Sequence, residues 1–179
     1  MGRLWQRAME RAGLSELGER ALSGRGLSPQ DLERLRGEDL LLVAGLADAV
    51  RARFFGDEVR VFSTDAARRE PALLRFNIAD GGAHGPTGQE LLLAIAFARL
   101  AAPADQGLCV SFDGLGLQLA QAALAFGADA LVGDLAAKRV LPLLEGSAAR
   151  RIELQGLVER AGRSARFVES QPLSLESRS

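Results

Sequence analysis

Within residues 108–132 the chain passes through a short apolar segment, an alanine-rich stretch stopped by Gly127, and a second short apolar segment. Short apolar runs bounded by turn signals suit buried strands, and a longer alanine-rich run suits a helix. Residues 108–112, 116–126 and 130–132 therefore read as strand, helix and strand, with Gly127 supplying the residue at which helices commonly stop. A strand–helix–strand unit is a building block of α/β folds. It restricts the rest of the chain to elements that extend the same sheet or cover it.

The remaining segments fit that restriction. Val59, Val61 and Ser63 alternate with Arg60 and Phe62, a period of two that predicts a first strand. Residues 73–78 form a second strand candidate and residues 165–168 a last one, while residues 65–71 read as a polar connection. Leu4, Ala8, Ala12, Leu14, Leu17 and Leu22 recur at near-helical spacing around Gly13, predicting one or two short helices. Ser28-Pro29-Gln30-Asp31 is a helix start: a side-chain oxygen for orphan N–H groups, a proline at the first helical position and an acid at the positive helix end. A longer helix follows over 40–55, with Leu42, Leu46, Ala49, Val50 and Phe54 on one face and Gly56 as its stop. Thr87 and Glu90 have capping-box spacing ahead of a helix over 89–101. Helices are also expected near 136–144 and 150–161, and the serine-rich tail 170–179 reads as disordered.

Composition narrows the function classes. The 179 residues suit one domain; 22 basic residues against 23 acidic ones give a net charge of −1, which selects neither a nucleic-acid nor a membrane partner. Arg3, Arg7, Glu10 and Arg11 interrupt any signal-peptide core, and the apolar runs 40–46 and 91–98 fall well short of the roughly 18 residues that span a bilayer, so a cytoplasmic location is expected. Cys109 is the only cysteine and His84 the only histidine. That composition excludes an internal disulfide and argues against a structural zinc site built on one chain. Cys109 itself lies in an apolar strand pattern and reads as an inert core thiol.

Two loops carry the candidate site. In residues 81–88, Gly82, Gly85 and Gly88 let backbone approach a ligand, and His84 and Thr87 add polar groups just before a helix N-terminus. The loop reads either as an anion or ligand site or as a strand-to-helix turn. It is not a Walker loop, because Gln89 stands where the lysine would be. In the second loop, Asp113, Gly114 and Gly116 sit between strand and helix, where open α/β proteins bind ligands, although Asp113 also suits a helix cap. No nucleophile elbow or spaced acid–base pair is present, so no catalytic residue is assigned.

Two stretches resemble one enzyme family. The first runs from Leu27-Ser28-Pro29-Gln30-Asp31 through Glu38-Asp39-Leu40-Leu41 to Arg53-Phe54-Phe55-Gly56-Asp57-Glu58-Val59; the second joins Gly85-Pro86-Thr87-Gly88 and residues 94–100 to residues 116–129 and Gly133. They are similar to the leading helices with first strand, and to the closing barrel segments, of the radical S-adenosylmethionine enzymes of the futalosine route to menaquinone. Those are aminofutalosine synthase and dehypoxanthine futalosine cyclase; the deazaflavin-cofactor synthases are related. The family places a CxxxCxxC loop after its first strand to hold a four-iron cluster, whereas residues 62–68 here contain no cysteine. Only about 20 residues separate the two matching stretches, too few for the middle strands of a barrel of about 250 residues.

The resemblance thus implies an α/β fold: a partial, degenerate (β/α) barrel of four or five strands behind an N-terminal helical segment. Residues 1–169 would be a single domain, with 27–64 and 85–169 as the two family-like parts. It implies a non-catalytic binding or partner protein linked to menaquinone formation, without an iron–sulfur cluster or S-adenosylmethionine as cofactor. Two alternatives are the substrate-binding part of a futalosine-type enzyme working with a cluster-bearing partner, and a small anion- or ligand-binding module. Open sheet edges and apolar faces left by a shortened barrel imply a homo-oligomer or a complex with a full-length radical enzyme.

Overall fold

A computed structural model describes residues 4–76, 85–135 and 151–168. The tail 170–179, the helix expected near 136–144, the end of the second strand candidate, and the site candidates Gly82 and His84 lie outside the described residues.

Four short helices come first: α1 (Leu4–Arg11), α2 (Ser15–Leu22), α3 (Pro29–Leu35) and the longer α4 (Leu40–Phe55). The expected start signals are used. Ser28 Oγ accepts from Asp31 N at the head of α3, and Asp39 Oδ1 accepts from Leu41 N and Leu42 N at the head of α4. After α4 come β1 (Glu58–Ser63), α5 (Thr64–Arg68), β2 (Leu73–Phe76), α6 (Gly88–Ala101) and β3 (Gly107–Ser111). Then follow α7 (Phe112–Leu115), α8 (Leu117–Leu124), β4 (Ala130–Gly133), α9 (Arg151–Arg160) and β5 (Ser164–Val168).

The five strands form one parallel sheet in the order β2-β3-β4-β1-β5. The protein is α/β, as the sequence predicted, with five strands among the described residues. The sheet is open among the described residues: β1 pairs with β4 and β5, and β2 and β5 are its two edges.

Alternation along the strands divides the core in two. Val59, Val61, Leu108, Val110 and Leu131 face one side, packed with Val43, Leu46, Ile95, Leu124 and Leu157 from α4, α6, α8 and α9. Phe62, Cys109 and Ala130 face the other, where Ala66 and Ala67 of α5 pack on them. Strands buried on both faces explain why β3 and β4 read as continuous apolar runs.

Local expectations fail at two places. Residues 65–68 of the expected polar connection 65–71 belong with Thr64 to α5, because Ser63 Oγ accepts from Ala66 N and starts a helix directly on the strand end. The helix expected over 116–126 is α8, and Gly116, with φ +77°, separates it from the short α7 that precedes it. Phe112, expected to end the strand, begins α7 instead.

The strands are tied together at their N-terminal ends by buried ions. Asp129, just before β4, accepts from Arg99 Nη2 (2.6 Å), Leu108 N (2.6 Å) and Arg60 Nη2 (2.8 Å). Arg99 also donates from Nε to Gly127 O (3.0 Å) and from Nη1 to Gln106 O (2.9 Å), and its guanidinium lies 4.9 Å from the Phe55 ring centre. One carboxylate thus joins α6, β1 and the starts of β3 and β4. Asp48 has a similar part on α4, accepting from Arg51 Nε (2.9 Å) and Arg163 Nη2 (2.6 Å), the latter in the turn before β5. Among the described residues no helix is long and apolar enough to cross a membrane.

Candidate functional site

Parallel sheets gather ligands at the C-terminal ends of their strands, in the crevice where neighbouring strands send their connections to opposite faces. In this sheet that point lies between β1 and β4. β1 runs straight into α5, which packs on the Phe62 face, whereas α9, the next described helix after β4, packs on the Val61 face. Ser63 and Gly133 are paired in register at the mouth of this crevice.

The neighbouring strand supplies the polar groups. β3 ends at Ser111, whose Oγ accepts from Gly114 N (3.1 Å) and caps α7. With the cap supplied by Ser111, the Asp113 carboxylate is released for another use: its Oδ2 accepts from Asp134 N (2.8 Å), immediately after β4. The sequence alternative of Asp113 as the cap is thus replaced by a bridge between two strand ends. Gly116 shapes the joint between α7 and α8 with its positive φ.

Gly133 is required for this arrangement. A Cβ there would collide with the Phe112 ring and lie 2.7 Å from Asp113 Oδ2. Gly133→Ala should therefore lower stability by about 1–3 kcal/mol through overpacking and break the bridge to Asp134 N. Urea unfolding measures the first effect, and the amide shift of residue 134 by NMR reports the second; an unchanged midpoint would show that Phe112 yields freely.

Of the sequence candidates, Asp113, Gly114 and Gly116 lie together at the end of β3. Gly85, Thr87 and Gly88 lie at the start of α6, and a Cβ on Gly88 would stand 3.6 Å from Leu119 Cδ1 of α8. The helix that follows each loop therefore begins near the other. At α6 the expected capping box is complete: Thr87 Oγ1 accepts from Glu90 N (3.3 Å), and the Glu90 carboxylate accepts from Thr87 N (2.7 Å). These bonds, the Thr87 backbone N–H first among them, hold the Glu90 carboxyl below its usual range. The donors an anion would use at Thr87 are engaged by a carboxylate of the same helix.

Cys109 sits in the middle of β3, with Arg75 and Ala130 as its register partners, and is fully buried. Burial, reinforced by the negative charge of Asp129, pushes its thiol up to about 12. It is a neutral core thiol, as its apolar surroundings in sequence suggested. Among the described residues no group of three histidine, cysteine or acidic side chains is arranged to hold a metal ion.

The ionic cluster of Arg99, Asp129 and Arg60 was not singled out from sequence. Its signal is visible in retrospect as an arginine inside the apolar run of α6 and an aspartate between Ala128 and Ala130. It lies at the N-terminal ends of the strands, opposite the crevice. There it acts on stability rather than on a ligand.

No protein-family model matches this chain, and no curated protein matches it either.

Proposed function

We propose that the protein is a non-catalytic binding protein, similar to the futalosine-pathway radical enzymes, that holds a small polar molecule over the β1–β4 crevice. The observation that carries the reading is the register pairing of Ser63 and Gly133 beside the Asp113 bridge, with α5 and α9 packed on opposite faces of the sheet. Hydroxyl and carboxylate groups there, from Ser63, Thr64, Asp113 and Asp134, suit a ligand rich in hydroxyl or amino donors better than an anion. Nucleoside intermediates of the route to menaquinone have that chemistry.

The non-catalytic part rests on thiol supply. A cluster needs several thiolates; this sequence has one cysteine, and its thiol is neutral and enclosed. Radical chemistry, where it occurs, would come from a separate cluster-bearing enzyme.

Calorimetric titration with aminofutalosine, dehypoxanthine futalosine, S-adenosylmethionine and inorganic phosphate tests the proposal. One of the nucleosides should bind, and Asp113→Asn, at a position on the exposed edge, should weaken it about tenfold, the loss of one charge-assisted hydrogen bond. Binding of phosphate alone would favour the anion-module alternative. Absence of binding by all four, with the protein shown to be folded, would sink the ligand reading.

A further inference from the structure

We propose that the Asp113–Gly114 pair is a covalent modification site, where the aspartate isomerises spontaneously to isoaspartate and the hydrogen bonds around the crevice hold the reaction in check. The proposal concerns the chain itself and involves no ligand, so it stands whether or not the crevice binds one.

The chemistry begins in the sequence. Among the described aspartates only Asp113 is followed by glycine. Glycine carries no side chain beside its nitrogen and lets the backbone turn toward the preceding carboxyl. Gly114 N attacks Asp113 Cγ; an N–Cγ bond forms and water leaves from the carboxyl, giving a cyclic succinimide. Water then adds to either ring carbonyl. Opening at Cγ restores aspartate. Opening at the main-chain carbonyl of Asp113 breaks its bond to Gly114 N, so the chain runs on through Cβ and Cγ and a free α-carboxylate is left. One water leaves and one enters, so the isomer has the mass of the parent and no other reactant is consumed. Asp113 and Gly114 are both exposed, and solvent reaches them.

The folded geometry opposes ring closure. Gly114 N, the attacking atom, donates its proton to Ser111 Oγ (3.1 Å). The Asp113 carboxyl, the group attacked, is held toward β4, because its Oδ2 accepts from Asp134 N (2.8 Å). Asp113 also lies within α7, and closing the ring requires its backbone to leave the helical region. Yet α7 has only four residues, and Ser111 supplies its side-chain cap. A helix of one turn has few internal hydrogen bonds, so it opens readily once that cap is lost. Ser111 is thus a positioning residue that keeps the nitrogen and the carboxyl apart. Isomerisation would in turn put the carboxylate on a shorter branch of a longer main chain and break the bridge to Asp134 N.

Incubation of the folded protein at neutral pH tests the proposal. Electron-transfer fragmentation of the peptide containing residue 113 distinguishes isoaspartate from aspartate at equal mass, and the same protein kept unfolded in denaturant gives the unrestrained rate. Isoaspartate should form at residue 113 in both, much faster in the unfolded chain. Ser111→Ala should raise the folded rate about 2- to 30-fold, the gain in local opening that follows loss of an ordinary helix cap. Ser111→Thr keeps the hydroxyl and should stay near the wild type. Gly133→Ala, which breaks the bridge and leaves the cap in place, should also accelerate the reaction. Circular dichroism checks that all three variants are folded. Equal rates in the folded and unfolded chains would overturn the proposal, as would no isoaspartate at residue 113 in either. So would a Ser111→Ala protein no faster than Ser111→Thr, or a Gly133→Ala protein no faster than the wild type.

Discussion

Asp129→Ala should destabilise the protein by about 3–5 kcal/mol, the cost of leaving a buried charge without its partner. Asp129 and Arg99 are each about 1% exposed, and Leu108 N loses its acceptor in the same substitution. Single domains have about 5–15 kcal/mol of net stability, so the variant should be close to unfolding at room temperature. Arg60 contributes less to this loss, because its side chain is 26% exposed and water screens it. Asp129→Asn keeps one oxygen for Leu108 N and Arg99 and should lose less. Urea unfolding followed by circular dichroism separates the three proteins. A loss under about 1 kcal/mol for the alanine variant would mean that the neighbouring groups relax or admit water, contrary to the enclosed geometry.

The cluster also shows what a sequence conveys poorly. Helix α6 and strands β3 and β4 were legible because their order along the chain is local information: a cap at Thr87, a stop at Gly127, a run of small apolar residues between. Which strands are neighbours is not local. The insertion of β1 between β4 and β5 depends on long-range pairing, as between Val61 and both Leu131 and Phe167, and nothing in the periodicity of residues 58–63 specifies it. The same holds for the ionic cluster, whose arginine and aspartate are 30 positions apart. The crevice was half legible. Asp113 and the glycines after β3 were visible as a strand-to-helix loop, but Asp113 suited a ligand site and a helix cap equally, because Ser111 looked like part of the strand. Ser111 is the last residue of β3 and also the cap of α7, and this double use leaves Asp113 to reach Asp134.

Raising the pH should weaken the fold chiefly through Cys109. The thiol is pushed up to about 12 in the folded protein, from an ordinary value of 9.0. Below pH 9 it is neutral in both states and folding is unaffected. Between pH 9 and 12 the unfolded chain loses the proton while the folded one keeps it, so stability falls as pH rises. A separation of about three pH units corresponds to about 4 kcal/mol in full, of which about 2–3 kcal/mol is lost by pH 11. Few other side chains titrate there: the chain has no tyrosine, Lys138 is its only lysine, and arginines stay charged. Cys109→Ala should be less stable than the parent at pH 8, since it leaves a small cavity in β3, yet its stability should remain nearly level to pH 11. The two curves should therefore converge with rising pH. Parallel decline of both proteins would assign the alkaline loss to another group, and rapid reaction of the folded parent with a thiol reagent at pH 8 would show that Cys109 is not enclosed.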